Sequence, residues 1–334
     1  MTQTSTARAE RPSPASSSIA HDAVHDAVRA GLGRAAKSLP PWLFYDSEGS
    51  RLFELITELP EYYLTRAERE LFERHADEII AVAAGDGPPL HIVELGAGTA
   101  TKSQILLRAA VARQGRCLYV PVDVSHTALE SAVERLEREE PAVEVRPLAA
   151  HHAEATRRLR HIPARRLVLF IGSSIGNFDD QEAIELLSSV RDGLTPGDAL
   201  LLGADRKKSP ARLLPAYDDS RGVTAAFNKN VLGRINRDLG GEFDLDAFRH
   251  VALWNEGLSR IEMHLESVRE QVVRVRALGA SFAFARGERI HTESSHKYED
   301  EHIDRLLAAA RFARERSFTD GEGAFGVHVA RARD

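Results

Sequence analysis

Cysteine is almost absent from this 334-residue chain. The single one, Cys117, excludes an internal disulfide and any cysteine-rich zinc site, and it points to a reduced, cytoplasmic setting. No apolar run approaches the ~18 residues that a membrane-crossing helix needs, so no membrane partner is expected. The first 20 residues lack the hydrophobic stretch of a signal peptide, which argues against secretion. Nor is there an excess of base. Lys and Arg number 44 against 50 Asp and Glu, a formal charge of −6, so nothing in the bulk electrostatics attracts DNA or RNA. What remains is 43% apolar and 28% charged residues, the balance of a soluble globular protein with one large or two modest domains.

Residues 1–20 are rich in Ser, Thr, Ala and Pro without periodicity and read as a mobile tail. A short helix is expected over Ala23 to Leu32, with further helices over Ser50 to Ile56 and Thr65 to Ala83. Thr65 and Glu68 have the spacing of a capping box. From Leu90 the pattern alternates. Apolar strands are expected at Leu90–Leu95, Cys117–Val122, Val143–Leu148, Arg166–Ile171 and Ala199–Ala204, with helices at Lys102–Ala112, Ala128–Glu139 and Asp180–Leu194 between them. Apolar strands alternating with amphipathic helices argue for a parallel sheet covered on both faces. After Asp205 the rhythm changes. A helical run, Leu213 to Leu239, precedes four segments with strand character: Arg260–Val268, Gln271–Leu278, Ser281–Ala285 and Ile290–Ser295. A second, smaller α+β unit is therefore expected. A helix over Ile303–Phe312 and a strand over Phe325–Ala330 return the chain to the first sheet.

The segment Val93-Glu94-Leu95-Gly96-Ala97-Gly98-Thr99 runs a strand into a glycine turn that opens a helix. Glycines there permit close backbone approach to a ligand and leave helix N–H groups free. Ligands of such sheets lie at the carboxyl ends of strands. A dinucleotide fingerprint is incomplete, because its third glycine is replaced by Thr101. Asp123 ends the second strand, 25 residues after Gly98, where a carboxylate can accept both hydroxyls of a ribose. Three readings stand at this point: a methyltransferase, a nicotinamide enzyme, or a structural glycine turn with Asp123 as a helix cap. Lys102 reads equally as a solvated helix lysine.

Glu94-Leu95-Gly96-Ala97-Gly98 with Asp123 resembles the S-adenosylmethionine site of class I methyltransferases. Longer segments sharpen the resemblance: Phe44-Tyr45-Asp46, Leu59-Pro60-Glu61-Tyr62-Tyr63, Gly172-Ser173-Ser174-Ile175-Gly176-Asn177, Tyr217-Asp218-Asp219, Val223-Thr224-Ala225-Ala226-Phe227-Asn228, Arg260-Ile261-Glu262-Met263 and Thr292-Glu293-Ser294-Ser295. In this order they resemble the histidine Nα-methyltransferases of ergothioneine biosynthesis, over about residues 30–330. The resemblance implies an α/β fold, in which a Rossmann-like class I methyltransferase domain (66–206 plus 297–334) carries a smaller α+β substrate-binding lobe (21–65 plus 207–296). It implies S-adenosyl-L-methionine as cofactor, L-histidine as the small-molecule substrate, and trimethylation of its α-amine to hercynine. A monomer is expected. Another amino acid such as tryptophan, or a non-catalytic ligand-binding homologue, is the alternative.

Carried onto this chain, the resemblance gives Gly96, Lys102 and Asp123 to the cofactor, with Tyr45 near it. Asn177 and Tyr217 would grip the amino and carboxylate end of the substrate and serve catalysis. Tyr62, Glu293 and Ser295 would address the imidazole, Met263 would pack near the ring, and Thr224 would act through water. Each has a plainer reading. Asn177 can satisfy loop backbone, Glu293 can be a solvated strand charge, Met263 can be core, and the tyrosines can be packing residues. Glu293 and Ser295 are two apart, so in an extended segment they face one way, about 6.8 Å apart. One departure concerns the adenine position, where the family has an acidic residue followed by Phe. Here His151 and His152 take those places, and a neutral imidazole can still accept one hydrogen bond and stack. This pair is not expected to bind metal, since no third ligand has motif spacing. His291 and His296 read as exposed polar residues, and Cys117 as an inert core residue.

The chemistry requires an unprotonated amine, whose free pKa lies near ~8. A nearby sulfonium disfavours a second positive charge, so no strong general base is expected and positioning in a closed cleft is the main demand.

Overall fold

The computed structural model describes residues 14–150, 152–159 and 165–333. Among the described residues three α-helices precede the first strand: α1 (Pro14–Leu32), α2 (Ser47–Thr57) and α3 (Tyr63–Ala84). Then strands and helices alternate: β1 (Leu90–Leu95), α4 (Ser103–Gln114), β2 (Cys117–Asp123), α5 (His126–Glu139), the short β3 (Val143–Val145) and β4 (Leu148–Ala149), α6 (His152–Leu159), β5 (Arg165–Phe170), α7 (Asp180–Asp192) and β6 (Ala199–Asp205). Next come α8 (Pro210–Tyr217), α9 (Val223–Leu239), β7 (Phe248–Asn255), β8 (Arg260–Ser267), β9 (Gln271–Val275), β10 (Ala280–Phe284) and β11 (Arg289–His296). The chain ends with α10 (Asp300–Ala309), β12 (Phe312–Thr319) and β13 (Phe325–Ala332).

The main sheet runs β12–β13–β6–β5–β1–β2–β3, with β4 also on β2. Strands β1 to β6 are mutually parallel where they pair, whereas β13 is antiparallel to both β6 and β12. This is the Rossmann-like α/β sheet expected from the alternating pattern. Its central strands are apolar throughout because both faces are covered. Along β5, Leu167 and Leu169 join one core while Val168 and Phe170 join the other, and β6 divides Leu201 and Leu202 in the same way. Crossovers leave β1 in opposite directions, toward β2 and toward β5. That reversal opens a crevice at the strand ends.

The second unit holds a three-stranded antiparallel sheet, β11–β8–β7, and a β9–β10 hairpin. Helices α8 and α9 pack on β7 and β8. The helical run expected from Leu213 to Leu239 is broken between α8 and α9. Asp219 takes the N–H groups of Arg221, Val223 and Thr224 at 3.0, 3.0 and 2.7 Å, and Gly222 turns with φ +72°.

Several other expectations are revised. The first helix begins at Pro14 rather than Ala23, and residues 1–13 of the expected tail lie outside the described residues. The Thr65–Glu68 capping box does not form. Tyr62 is the N-cap residue of α3 without a side-chain bond, and Glu68 is fully buried within the helix. Strands β7 and β12 carry no clean alternation. β7 is half-buried along most of its length. β12 is an edge strand that carries Arg314, Glu315 and Arg316 in succession, charges that guard an edge against pairing.

Candidate active site

The crevice is bounded by the ends of β1, β2, β5 and β6 on one side and by β8, β11, α8 and α9 on the other. Its first wall is the glycine turn. Gly96 and Gly98 have φ of +72° and +52°, which side chains resist. The N–H groups of the turn itself are engaged. Gly96 and Ala97 donate to Val122 O at 2.8 and 2.9 Å, and Gly98 donates to Asp123 Oδ2 at 2.8 Å. Asp123 also receives Ser125 N at 2.9 Å, while the cap of α5 is Ser125 itself. Asp123 is thus locked in direction by two backbone donors, and each oxygen retains a lone pair for an outside hydroxyl. Nothing lies within 4 Å of where a Cβ on Gly98 would stand. A locked carboxylate beside an open glycine turn fits the ribose of an adenosine-bearing cofactor.

Lys102 is not a solvated helix lysine. It pairs with the buried carboxylate of Glu68, whose other oxygen accepts Gly172 N at 2.8 Å. Glu68 therefore ties α3, the start of α4 and the loop after β5 together. Its spacing from Thr65 suggested a helix cap, and nothing in the sequence pointed to this buried tie.

The cavity beside these groups is lined by Tyr45, Tyr62, Asn177, Tyr217, Thr224, Met263, Glu293 and Ser295. Eight separated sequence positions thus meet. Asn177 ends a 3-10 turn, Ser174–Asn177, that follows β5, and Ser173 before it adopts φ +60°. Ser173 Oγ accepts Asp205 N at 2.9 Å, which holds that loop against the end of β6. Tyr45 follows Phe44 at the entrance to α2. Asp46 caps α2 through Gly49 N and binds Asn230 and Arg237 of α9, so Tyr45 is fixed between two helices. Its ring meets Phe53 and Phe227 edge-on at 5.8 and 5.9 Å. Tyr62 packs edge-on to Phe53 and Tyr217. Phe53 and Phe227 also line the cavity; Phe227 belongs to the family-like segment Val223–Asn228, whereas Phe53 carried no signal beyond its apolar helix position.

Glu293 and Ser295 both face the cavity from β11, across a bulge between His291 and Glu293, and Met263 sits directly opposite Glu293 on β8. Glu293 is 9% exposed and has no hydrogen-bond partner among the described residues. Burial pushes its carboxyl up to about 7, opposed in part by Lys297. Tyr45 has its phenol raised by burial and then by the charges of Glu293 and Asp123, so both acids lie within electrostatic range of it. The cavity and the glycine turn are therefore neighbours.

Ser295 and Tyr217 belong to a buried network that the sequence reading missed. Their hydroxyls lie 2.7 Å apart, and Lys297 Nζ reaches them at 2.9 and 2.7 Å. Lys297 also meets Asp205 Oδ2 at 2.8 Å, and Tyr63 donates to both oxygens of Asp205. A signal was present: Glu293 and Ser295 share the period of two along β11, and Lys297 continues it one residue past the strand end. Of the histidines, His151 lies outside the described residues and His152 opens α6. His296 is buried and His291 half-buried rather than exposed; burial is the main force driving each down to about 4. Cys117 is buried at the start of β2, and burial pushes its thiol up to about 12.

A parallel sheet that reverses direction beside a locked acid and a polar cavity has the layout of a nucleotide-cofactor transferase. A family model described as histidine-specific, S-adenosylmethionine-dependent methyltransferase matches residues 24–332, and the chain belongs to that family. It is 45% identical over 311 residues to the histidine N-alpha-methyltransferase of Mycolicibacterium smegmatis, covering 93% of this chain and 95% of that one. It is 43% identical over 318 residues to the protein of the same name from Mycobacterium tuberculosis, covering 93% and 97%. It also matches ergothioneine biosynthesis protein 1 of Neurospora crassa at 29% identity over 88% of this chain, but spans only 33% of that longer protein. The chain is an S-adenosylmethionine-dependent methyltransferase.

Proposed function

We propose that this enzyme trimethylates the α-amino group of L-histidine to hercynine, with each site residue in the role its family segment implies. The observation that carries the reading is Glu293, an unpaired, buried carboxylate that shares a cavity with Ser295, Asn177 and Tyr217. An unpartnered buried acid is costly and calls for a ligand donor. An imidazole supplies an N–H for Glu293 and a second nitrogen for Ser295, and a site built for both rejects rings that leave its groups unpaired. Tyr62 and Met263 would flank the ring, and Thr224 would contact the substrate through water.

S-adenosylmethionine supplies, when bound, a methyl group on a sulfonium leaving group. Asp123 would hold its ribose hydroxyls, Gly96 would give its backbone room, Lys102 would meet its carboxylate, and Tyr45 would close over it. His151 and His152 would serve the adenine. The task of Asn177 and Tyr217 is to aim the amine lone pair. The Asn177 amide oxygen accepts from an amine N–H while its NH2 donates to the substrate carboxylate. A free α-amine near pKa ~8 is already partly neutral at working pH, so orientation, worth roughly 7–11 kcal/mol in favourable cases, does most of what is needed. The aromatic wall of Phe53, Tyr45 and Phe227 keeps water out of the same space. The single buried cysteine accords with a cytoplasmic setting, and a monomer suffices because one chain supplies every site residue.

The test offers the purified protein each common amino acid with S-adenosylmethionine and reads the mass of the products. Successive gains of one, two and three methyl groups on histidine alone are expected. Methylation of tryptophan in preference to histidine would refute the substrate. No methylation of any amino acid would refute the reaction.

A further inference from the structure

Lys297 is completely buried, and its three N–H groups meet three oxygens: Tyr217 Oη, Ser295 Oγ and Asp205 Oδ2. Asp205 is itself fixed by Tyr63 and by Lys208, whose Nζ lies 2.6 Å from Oδ1. Lysine has donors only. Both hydroxyls must therefore turn lone pairs toward it. They also share the 2.7 Å bond between them, which uses one of their two protons. One proton remains. If Tyr217 donates to Ser295, both Ser295 lone pairs are filled and its proton points away from the network. If Ser295 donates to Tyr217, the Tyr217 proton does so. Both residues line the cavity, so the pair keeps one donor in either arrangement, and the first, with Tyr217 donating, sets that donor on Ser295 at the ring subsite.

We infer that Lys297 is a positioning residue that sets the hydrogen-bond polarity of the Tyr217–Ser295 pair, so that the ring subsite offers one donor alongside the Glu293 acceptor and selects a ring with one N–H and one bare nitrogen. This rests on the histidine reading above and deepens it. Without Lys297, the pair could rotate to offer an acceptor instead, and a ring lacking the bare nitrogen would no longer leave a donor unpaired. The second wall of the subsite would then stop discriminating.

The experiment measures Kd by calorimetry, with S-adenosylhomocysteine present to prevent turnover, for L-histidine and for its pyrrole analogue, which keeps a ring N–H but lacks the second nitrogen. The wild-type protein is expected to prefer histidine by ~10-fold or more, the usual consequence of an unpaired buried donor. In Lys297→Met the histidine affinity falls and the analogue affinity changes less than about threefold, so the preference collapses. Equal weakening of both ligands would overturn the inference and leave Lys297 a purely structural residue. Should Lys297→Met fail to fold, the hydroxyl variants decide. Tyr217→Phe leaves Ser295 with its lysine bond and its free proton, so the preference persists; Tyr217→Phe/Ser295→Ala removes the donor and the preference with it. A preference lost in the single variant, or kept in the double, would overturn the inference while histidine binding itself still stood. Wild-type protein that binds neither ligand would instead remove the histidine reading, and the inference would fall with it.

Discussion

The two halves of the crevice are built on opposite terms. At the ends of β1 and β2 the polar groups are already satisfied: Gly96, Ala97 and Gly98 donate to Val122 and Asp123, and Asp123 is held by two backbone N–H groups. On the β11 side, Glu293 is buried with no partner among the described residues. The first half is preformed by backbone and loses nothing while it waits for a ligand. The second is held by side chains and retains an unmet demand. Affinity for the shared cofactor can rest on the first half, and discrimination between substrates falls to the second.

The largest effect is expected at Asp123. Asp123→Ala removes the lock on Gly98 and the proposed acceptor for two ribose hydroxyls, each worth about 1.5–3 kcal/mol as a bond to a charged group, so S-adenosylmethionine affinity should fall ~100-fold or more. Unchanged affinity by calorimetry would remove Asp123 from the site. Next is Glu293→Ala, expected to weaken histidine ~10- to 100-fold while cofactor affinity shifts less than about threefold. Equal loss of both would show that the two halves are not separable.

A stability measurement sharpens the same contrast. The Glu293 carboxyl is raised from its ordinary 4.5 to about 7 by burial. Between those pH values the folded chain holds more protons than the unfolded one, so folding stability falls as pH rises through that window. Glu293→Gln lacks this loss. Its thermal midpoint without ligands should match the wild type near pH 4 and exceed it by a few degrees near pH 8, an advantage of at most about 3 kcal/mol. Glu94, likewise pushed up to about 7 by burial, titrates in both proteins and cancels. A constant gap across the window would mean that Glu293 is not buried unpaired. The smallest effect is expected of Thr224→Val, an increase in histidine KM of about threefold for loss of one water-mediated contact. A tenfold rise would mean direct contact.

The strands were legible because apolar periodicity reports two-sided burial directly: β1 spans the residues expected, and β2, β5 and β6 match to within a residue at each end. Elements whose burial is partial were not. β7 and β12 carry charge or lie at an edge, and their sequence resembles loop or helix. The same division holds at the site. The glycine turn and Asp123 announce themselves because a strand, a turn and a spacing are local features. Glu68, Asp205 and Lys297 are charges that bind residues as distant as Gly172, Tyr63 and Tyr217, which lie 104, 142 and 80 residues away along the chain, and beyond the period of two at Lys297 no local pattern tells a paired buried charge from a solvated one.

By itself, then, the sequence determined the alternating sheet, the glycine turn and the family to which the segments belong, since each depends on short-range spacing or on contiguous residues. Tertiary structure alone decided that Lys102 is paired and not solvated, that His296 is buried, and that Lys297 stands behind Tyr217 and Ser295. Burial and hydrogen-bond partnership depend on which distant segments meet, and a charged side chain has the same letter in water as in a core.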